Sequence, residues 1–106
     1  MIIEKPWGRE EILLKSDDYV VKKLVMKAGH ACSLQYHNLK HESFYVLSGK
    51  FKFTCNDSIL ELKAGDFFDL PPKMIHRMEA LEDGEYLECS TNHLDDVVRL
   101  QDNYNR

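Results

Sequence analysis

Cysteine, proline and glycine are scarce in this sequence of 106 residues, which contains three, three and five of them. The cysteines, Cys32, Cys55 and Cys89, are odd in number and lack CxxC spacing, so we expect no disulfide framework. We interpret them as small buried residues in a reducing compartment. The N-terminus, "MIIEKPWG", has neither the basic nor the apolar region of a signal peptide. These features predict a cytoplasmic protein.

Long apolar runs and an excess of positive charge are also absent. The longest apolar run, 44–47, is too short to span a bilayer. The formal net charge of -4 provides no basic surface for nucleic acid. We therefore expect neither a membrane nor a nucleic acid as partner. No linker, repeat or low-complexity tract divides the chain, so we predict a single domain over residues 1–106.

What the sequence does contain is a series of short β-rich segments. Segments such as "YVVKKLVMK", "KFKFTC" and "SILELK" alternate or are rich in Val and Leu, and each ends at a turn signal. Short strands separated by turn signals roughly every 8–12 residues are typical of an all-β sandwich or barrel. No sustained helical period occurs before residue 90. The tail, "LDDVVRLQDNYNR", fits either one short helix or an extended closing segment.

One segment carries polar residues that a plain core strand does not need. In "GHACSLQYHNLKHESFYVLSG", Gln35 and His37 are two residues apart and therefore share one face of a strand. Glu42 begins the next strand after a short turn, and we expect a hairpin to bring these three side chains together. His76, in "PPKMIHRM", is a fourth candidate ligand.

These four residue types suit a divalent transition metal, such as Zn, Mn, Fe, Co or Ni. Two imidazoles, one carboxylate and one amide oxygen leave the site net positive, and four ligands leave two positions of an octahedral ion open. The alternative is that each His is an ordinary hydrogen-bonded residue. We prefer that alternative for His30, His41 and His93.

The order of these residues resembles the two cupin motifs. Gln35, His37 and Glu42 lie between two glycines, and a second stretch, "GDFFDLPPKMIH", ends in His76. Lys73 replaces a usual Gly of the second motif. The resemblance implies a cupin-type double-stranded β-helix, a small jelly-roll barrel with the metal inside. It also implies that Gln35, His37, Glu42 and His76 hold the metal.

A closer resemblance covers nearly the whole chain. "KPWGREE", "VKKLVMKAGHACSLQYH" and "DDVVRLQDNYNR" are similar to the type II mannose-6-phosphate isomerase cupin. In that family the domain commonly forms the C-terminal part of mannose-1-phosphate guanylyltransferase, and here we expect it to stand alone. A Gln at the first ligand position is characteristic of the group, so Gln35 matches it.

Several positions depart from that family. Asn38 and Leu39 replace His, and Lys40 replaces Arg. Ser43 and Phe44 replace a His-Trp pair that we expect at the mouth of the barrel. Because Lys is a point charge rather than a guanidinium fork, we expect mannose-6-phosphate isomerase activity to be weak or absent, even if isomerase chemistry on another sugar survives.

The resemblance implies a metal-dependent sugar or sugar-phosphate isomerase or epimerase that interconverts aldose and ketose through an enediolate. Glu88, in "YLECS", is the predicted proton-transfer base inside the barrel. The alternative to this role is that Glu88 forms a structural ion pair with Lys52 or Arg77. Lys40 and Arg99 are predicted to hold a phosphate or carboxylate of the substrate, Lys40 also with a catalytic role. For both, the alternative is a solvated surface charge.

Two other functions stay open at this point. One is a non-catalytic, metal-containing carbohydrate-binding or regulatory cupin. The other is an iron-dependent dioxygenase, because two His and a carboxylate leave positions for O₂. The resemblance also implies a homodimer in which Trp7 and the N-terminal strand exchange between subunits. The alternative is that Trp7 packs on its own barrel.

Overall fold

The computed structural model describes residues 1–104, and within this range the chain forms eleven β-strands and no helix. The strands are β1 (Ile2–Lys5), β2 (Gly8–Lys15), β3 (Tyr19–Met26), β4 (Leu34–Tyr36), β5 (Glu42–Ser48), β6 (Lys50–Cys55), β7 (Ser58–Lys63), β8 (Phe67–Leu70), β9 (His76–Ala80), β10 (Gly84–Thr91) and β11 (Val98–Gln101). The all-β prediction is confirmed. The tail takes the extended alternative as β11, and its last two residues, 105–106, lie outside the described residues.

The strands form two antiparallel sheets that face each other. The larger sheet has the order β1-β2-β3-β10-β5-β8, and the smaller sheet has the order β11-β4-β9-β6-β7. Strands that are distant in sequence are neighbours in both sheets, so the chain crosses repeatedly from one sheet to the other. This topology is a jelly-roll barrel. Within residues 1–104 there is no helix of the length and apolarity that crossing a membrane requires.

The predicted hairpin between β4 and β5 is wrong. β4 pairs with β9 and β11, whereas β5 pairs with β10 and β8 in the other sheet. Residues 38–41 therefore cross between the sheets. Period-two alternation assigns a face to each side chain but does not say which strand is its neighbour.

The barrel interior is apolar at one end and charged at the other. Directly opposed residues of antiparallel strands share a face. On β10, Tyr86 lies opposite Leu24 and Val46, and all three are buried. Two residues further along the same strand, Glu88 lies opposite Lys22, and both are also buried. The inward rows of β3 and β10 thus change from apolar to charged at the same level, whereas on β5 the change comes two residues further along, at Glu42 opposite Ser90.

Aromatic rings fill the apolar end. Phe44 contacts Phe53 and Tyr86 edge to face, with ring centroids 5.6 and 5.5 Å apart, and Phe51 contacts Tyr86 at 5.2 Å. Such edge-to-face pairs are the preferred geometry of aromatic side chains. Trp7, in the turn between β1 and β2, belongs to the same core and is 3% exposed. In the described chain Trp7 therefore packs on its own barrel.

The interpretation of all three cysteines as buried residues is partly wrong. Cys55 is buried, Cys32 is half-buried and Cys89 is exposed. Cys89 follows Glu88 on β10, and because Glu88 faces inward, alternation turns Cys89 outward.

Lys73 occupies a backbone conformation that favours glycine. Its φ is 74°, and its N–H donates to the carbonyl oxygen of His37 at 2.6 Å. A side chain in this left-handed region costs about 1–2 kcal/mol.

We expect Lys73→Gly to raise the free energy of unfolding by about 1 kcal/mol, measured by urea denaturation. Lys73→Ala is the control, because alanine keeps the strain and should change stability little. Equal stabilisation by both variants would contradict this explanation.

Candidate metal centre

Three ligand-type side chains converge at the polar end of the barrel. His37 follows β4, while Glu42 and His76 begin β5 and β9. All three are at most 4% exposed. The Nε2 atoms of His37 and His76 lie 3.4 and 3.2 Å from the same oxygen, Oε1 of Glu42. The possible ligand atoms of the three residues all lie within 4.8 Å of one another. This cluster is the candidate metal centre.

Backbone carbonyls orient both imidazole rings. His37 Nδ1 lies 2.5 Å from the carbonyl oxygen of Asp96, and His76 Nδ1 lies 2.9 Å from that of Met74. Because a carbonyl only accepts, each Nδ1 carries a proton and donates it. In a neutral ring the Nε2 atom then presents a lone pair. Second-shell carbonyls hold metal-ligating histidines in this way.

The cluster is a set of acceptors that face each other in a buried space. Neither Nε2 atom has a hydrogen-bond partner among the described residues, and the polar atom that both approach, Glu42 Oε1, is a carboxylate oxygen. Buried polar atoms are normally paired, and a cation among these three acceptors would pair all of them. The residues therefore fit a divalent metal ion.

A proton on the His37 imidazole would compete with a metal ion for the same nitrogen atom. Burial alone would lower the pKa of His37, but the Glu42 carboxylate and the Asp96 carbonyl outweigh burial and raise it. Metal binding requires the neutral imidazole, so it is expected to displace this proton.

Gln35 reaches the same region from β4. It lies opposite His76 on one side and Arg99 on the other, so these three side chains share a face of the smaller sheet. Its Oε1 accepts a hydrogen bond from Ser33 Oγ at 2.6 Å. A carbonyl oxygen has a second lone pair, and Gln35 as a metal ligand stays a prediction.

Lys40 is buried, so its interpretation as a solvated surface charge is wrong. Only 6% of the residue is exposed, and its Nζ lies 2.9 Å from Glu42 Oε2 and 3.2 Å from Glu88 Oε2. Burial would lower the pKa of Lys40, but the two carboxylates outweigh burial and raise it. The ammonium group therefore stays charged inside the barrel. Its predicted catalytic and substrate-binding roles stay predictions.

Glu88 faces the barrel interior, as the alternation predicts. The ion-pair partners named in its structural alternative are wrong, because its carboxylate lies 3.2 Å from Lys40 and 4.0 Å from Lys22. Lys52 is exposed on β6, and Arg77 donates to the carbonyl oxygen of Cys32. Burial and the charge of Glu42 raise the pKa of Glu88, although the two lysines oppose them. A raised pKa suits a group that takes up and returns a proton near neutral pH.

Lys22 and Glu10 extend the charged network towards the N-terminal hairpin. Lys22 Nζ lies 3.2 Å from Glu10 Oε1, and Lys5 Nζ lies 3.8 Å from Glu10 Oε2. Neither residue was predicted from the sequence. A signal for Lys22 was present, because in "YVVKKLVM" it alternates with Val20 and Leu24 on the apolar face.

Asp96 organises the segment that crosses between the sheets. Its carboxylate accepts hydrogen bonds from the backbone N–H groups of Asn38, Leu39 and Lys40 at 3.1, 2.6 and 2.9 Å. These donors lower the pKa of Asp96 to about 2. Since its carbonyl also holds His37, Asp96 positions both His37 and Lys40. Nothing in the sequence distinguishes it from other acidic residues.

One cavity brings the predicted site residues together. It has a volume of about 340 Å³, within the usual range for small-molecule pockets. All seven predicted residues line it: Gln35, His37, Lys40, Glu42, His76, Glu88 and Arg99. Arg99 is exposed on β11, and no ion pair or hydrogen bond occupies its side chain within the described residues.

The two departures after Glu42 do not both lie at the mouth of the barrel. Ser43 faces outward and donates to Asp69 Oδ1 at 2.8 Å, so its expected place at the mouth is wrong. Phe44 is buried, lines the cavity and lies 6.3 Å from His76 between ring centroids. Side chains alternate between the two faces of β5. Glu42 and Phe44 face the barrel interior, so Ser43 between them faces outward.

A double-stranded β-helix with two His and one Glu inside the barrel defines a cupin. A solved structure, that of KdgF from Halomonas sp., has the same fold, with a TM-score of 0.79 at 19% identity over 86% of this chain and 84% of that one. The chain belongs to the family described as mannose-6-phosphate isomerase C-terminal, whose model matches residues 1–102. The predicted fold and family are thus confirmed.

The curated relatives are longer proteins. Mannose-1-phosphate guanylyltransferase of Escherichia coli (strain K12) is 30% identical over 114 residues, which cover 98% of this chain and 23% of that protein. Xanthan biosynthesis protein XanB of Xanthomonas campestris pv. campestris (strain B100) is 30% identical over 109 residues, with the same coverage. The chain thus spans less than a quarter of the length of these relatives.

Proposed function

We propose that this protein is a metal-dependent isomerase that interconverts an aldose and a ketose, with a sugar or sugar phosphate as substrate. The observation that carries the proposal is that His37, Glu42 and His76 form a candidate cation site in the same cavity as a second buried carboxylate, Glu88. Proton-transfer isomerisation needs a positive centre for the charge that develops on the substrate and a nearby base. This cavity offers residues for both.

A divalent ion held by His37, Glu42, His76 and, as the family resemblance implies, Gln35 would supply a Lewis acid towards substrate oxygens. Glu88 takes the proton from the hydroxyl-bearing carbon next to the carbonyl and returns it to the carbonyl carbon, while the hydroxyl proton passes to the former carbonyl oxygen. Its distance from the cation site is suitable, because a single ammonium group, that of Lys40, separates it from Glu42. The raised pKa of Glu88 supports this role.

The comparisons support a sugar phosphate as the substrate class. The family description names mannose 6-phosphate, and the name of the Escherichia coli relative contains mannose 1-phosphate. Mannose 6-phosphate itself is expected to be a poor substrate, because Phe44 lines the cavity where the family resemblance implies a Trp. We also propose a homodimer in the cytoplasm. Light scattering after size-exclusion chromatography tests the dimer.

Solvent exchange tests the proposed reaction. The metal-loaded protein is incubated in D₂O with aldose and ketose phosphates, and deuterium at the carbon next to the carbonyl is followed by NMR. We expect incorporation that chelators abolish and added metal restores. Sugar binding without any exchange would contradict the isomerase and favour a carbohydrate-binding cupin.

Arg99 is expected to bind the phosphate, because among the lysine and arginine side chains that line the cavity it is the one without a carboxylate partner in the described residues. We expect Arg99→Ala to raise KM for a phosphorylated sugar about 10- to 100-fold, with little change in kcat and in KM for the unphosphorylated sugar. Steady-state kinetics with both sugars measure this. Arg9→Ala, an exposed arginine of β2 paired with Glu11, is the control. An equal effect on both sugars would exclude a phosphate contact.

A further inference from the structure

Lys40 separates the two oxygens of the Glu42 carboxylate. Oε1 faces the two imidazole Nε2 atoms at 3.4 and 3.2 Å, whereas Oε2 lies 2.9 Å from the Lys40 ammonium. Glu42 is 2% exposed, so water does not compete with Lys40 for Oε2. One oxygen of the ligand is therefore directed at the cation site, and the other forms an ion pair with Lys40.

Lys40 is itself held from three directions. Its ammonium also contacts Glu88 Oε2 at 3.2 Å, and its backbone N–H donates to Asp96 Oδ2 at 2.9 Å. The residue is 6% exposed. The charge of this ammonium group is compensated by two buried carboxylates, and both carboxylates would repel a substrate phosphate placed beside it. Arg99 is exposed and has no carboxylate partner among the described residues, so a phosphate bound to it would meet no such carboxylates.

We propose that Lys40 is a positioning residue that leaves one oxygen of Glu42 for a metal ion and holds Glu88 beside the site, and that it does not bind the anionic group of the substrate. The inference rests on the metal ion of the proposed function but not on the isomerase reaction. It replaces the sequence-based assignment of Lys40 as a phosphate ligand.

This role of Lys40 determines how many oxygens of the Glu42 carboxylate are available to a metal ion. With Lys40 present, the carboxylate would hold a metal ion through one oxygen. Without the ammonium, Oε2 is free to join Oε1 on the same ion, and Glu88 loses its nearer cationic partner. A carboxylate bound through one oxygen has a wider separation between its antisymmetric and symmetric stretching bands than one that chelates through both.

Infrared difference spectroscopy of the wild-type protein is the primary test. Spectra of metal-loaded minus metal-free protein, with and without ¹³C-labelled glutamate carboxylates, isolate the glutamate that changes on metal binding. We expect the wide separation in the wild type and in Lys40→Arg, which keeps the charge. In Lys40→Met we expect the separation to narrow. Lys22→Met is the matched control, because Lys22 is also buried but contacts Glu10 and Glu88 rather than Glu42.

The outcomes separate this inference from the proposed function. Failure of the wild type to bind any metal overturns both. If the wild type binds metal but shows the narrow separation between the two carboxylate stretching bands, only the role of Lys40 is overturned. That measurement does not require any variant to fold. An unchanged band separation in folded Lys40→Met would also overturn only the role of Lys40. A change of KM in either direction in Lys40→Arg, seen for the phosphorylated but not for the unphosphorylated sugar, would make Lys40 a substrate ligand and overturn the inference.

Discussion

Glu88→Gln is expected to lower kcat of the proposed isomerase about 10²- to 10⁴-fold, the usual contribution of a general base. The amide keeps the size of the side chain but cannot accept the substrate proton. Metal affinity should change little, because the candidate ligands are His37, Glu42 and His76. Steady-state kinetics and isothermal titration with the metal measure the two effects separately.

Glu85→Gln is the matched control for this experiment. Glu85 lies on the same strand, three residues before Glu88, and its carboxylate is 4.0 Å from Lys23 on the other face of the sheet. Activity should be unaffected by that change. Full activity of Glu88→Gln would remove Glu88 as the base, whereas a loss of metal affinity equal to the loss of activity would assign it to the metal site instead.

His76→Ala is expected to weaken metal binding by at least about 100-fold, because changes outside the ligand shell alone cost 10- to 100-fold. Its Nε2 is one of the three acceptors at the candidate centre, and its ring is held by the carbonyl of Met74. The barrel should still fold, because the apolar end with Phe51 and Phe53 does not depend on the ion. Elemental analysis and circular dichroism check the two expectations.

His93→Ala is the control, because His93 is exposed and its ring contacts Thr91 rather than the cavity. It should retain the metal stoichiometry of the wild type. Unchanged metal binding in a folded His76→Ala protein would show that the ion, if bound, is held elsewhere. Loss of the folded state in His76→Ala alone would show that the residue is needed for packing, and Glu42→Gln would then carry the test of the site.

The sequence by itself determined which face of a regularly alternating strand is buried. Alternation turns Glu42 and Phe44 of β5 inward, and the structure follows it there. It also turns Cys89 outward, against the interpretation of that cysteine as a buried residue. The sequence also determined the fold class, because short alternating segments with turn signals leave few alternatives to an all-β sandwich or barrel. The spacing of Gln35, His37 and Glu42 carried the resemblance to a cupin before any contact was known.

Tertiary structure alone decided which of these residues meet. The β4–β5 hairpin is wrong because residues 38–41 cross between sheets, held by Asp96 from a segment far along the chain. The burial of Lys40 between Glu42 and Glu88 depends on that crossing and on the pairing of β5 with β10. The period-two alternation of side chains specifies only on which face of its strand each side chain lies. Strand partners and register come from long-range pairing and packing, to which residues distant in sequence contribute together.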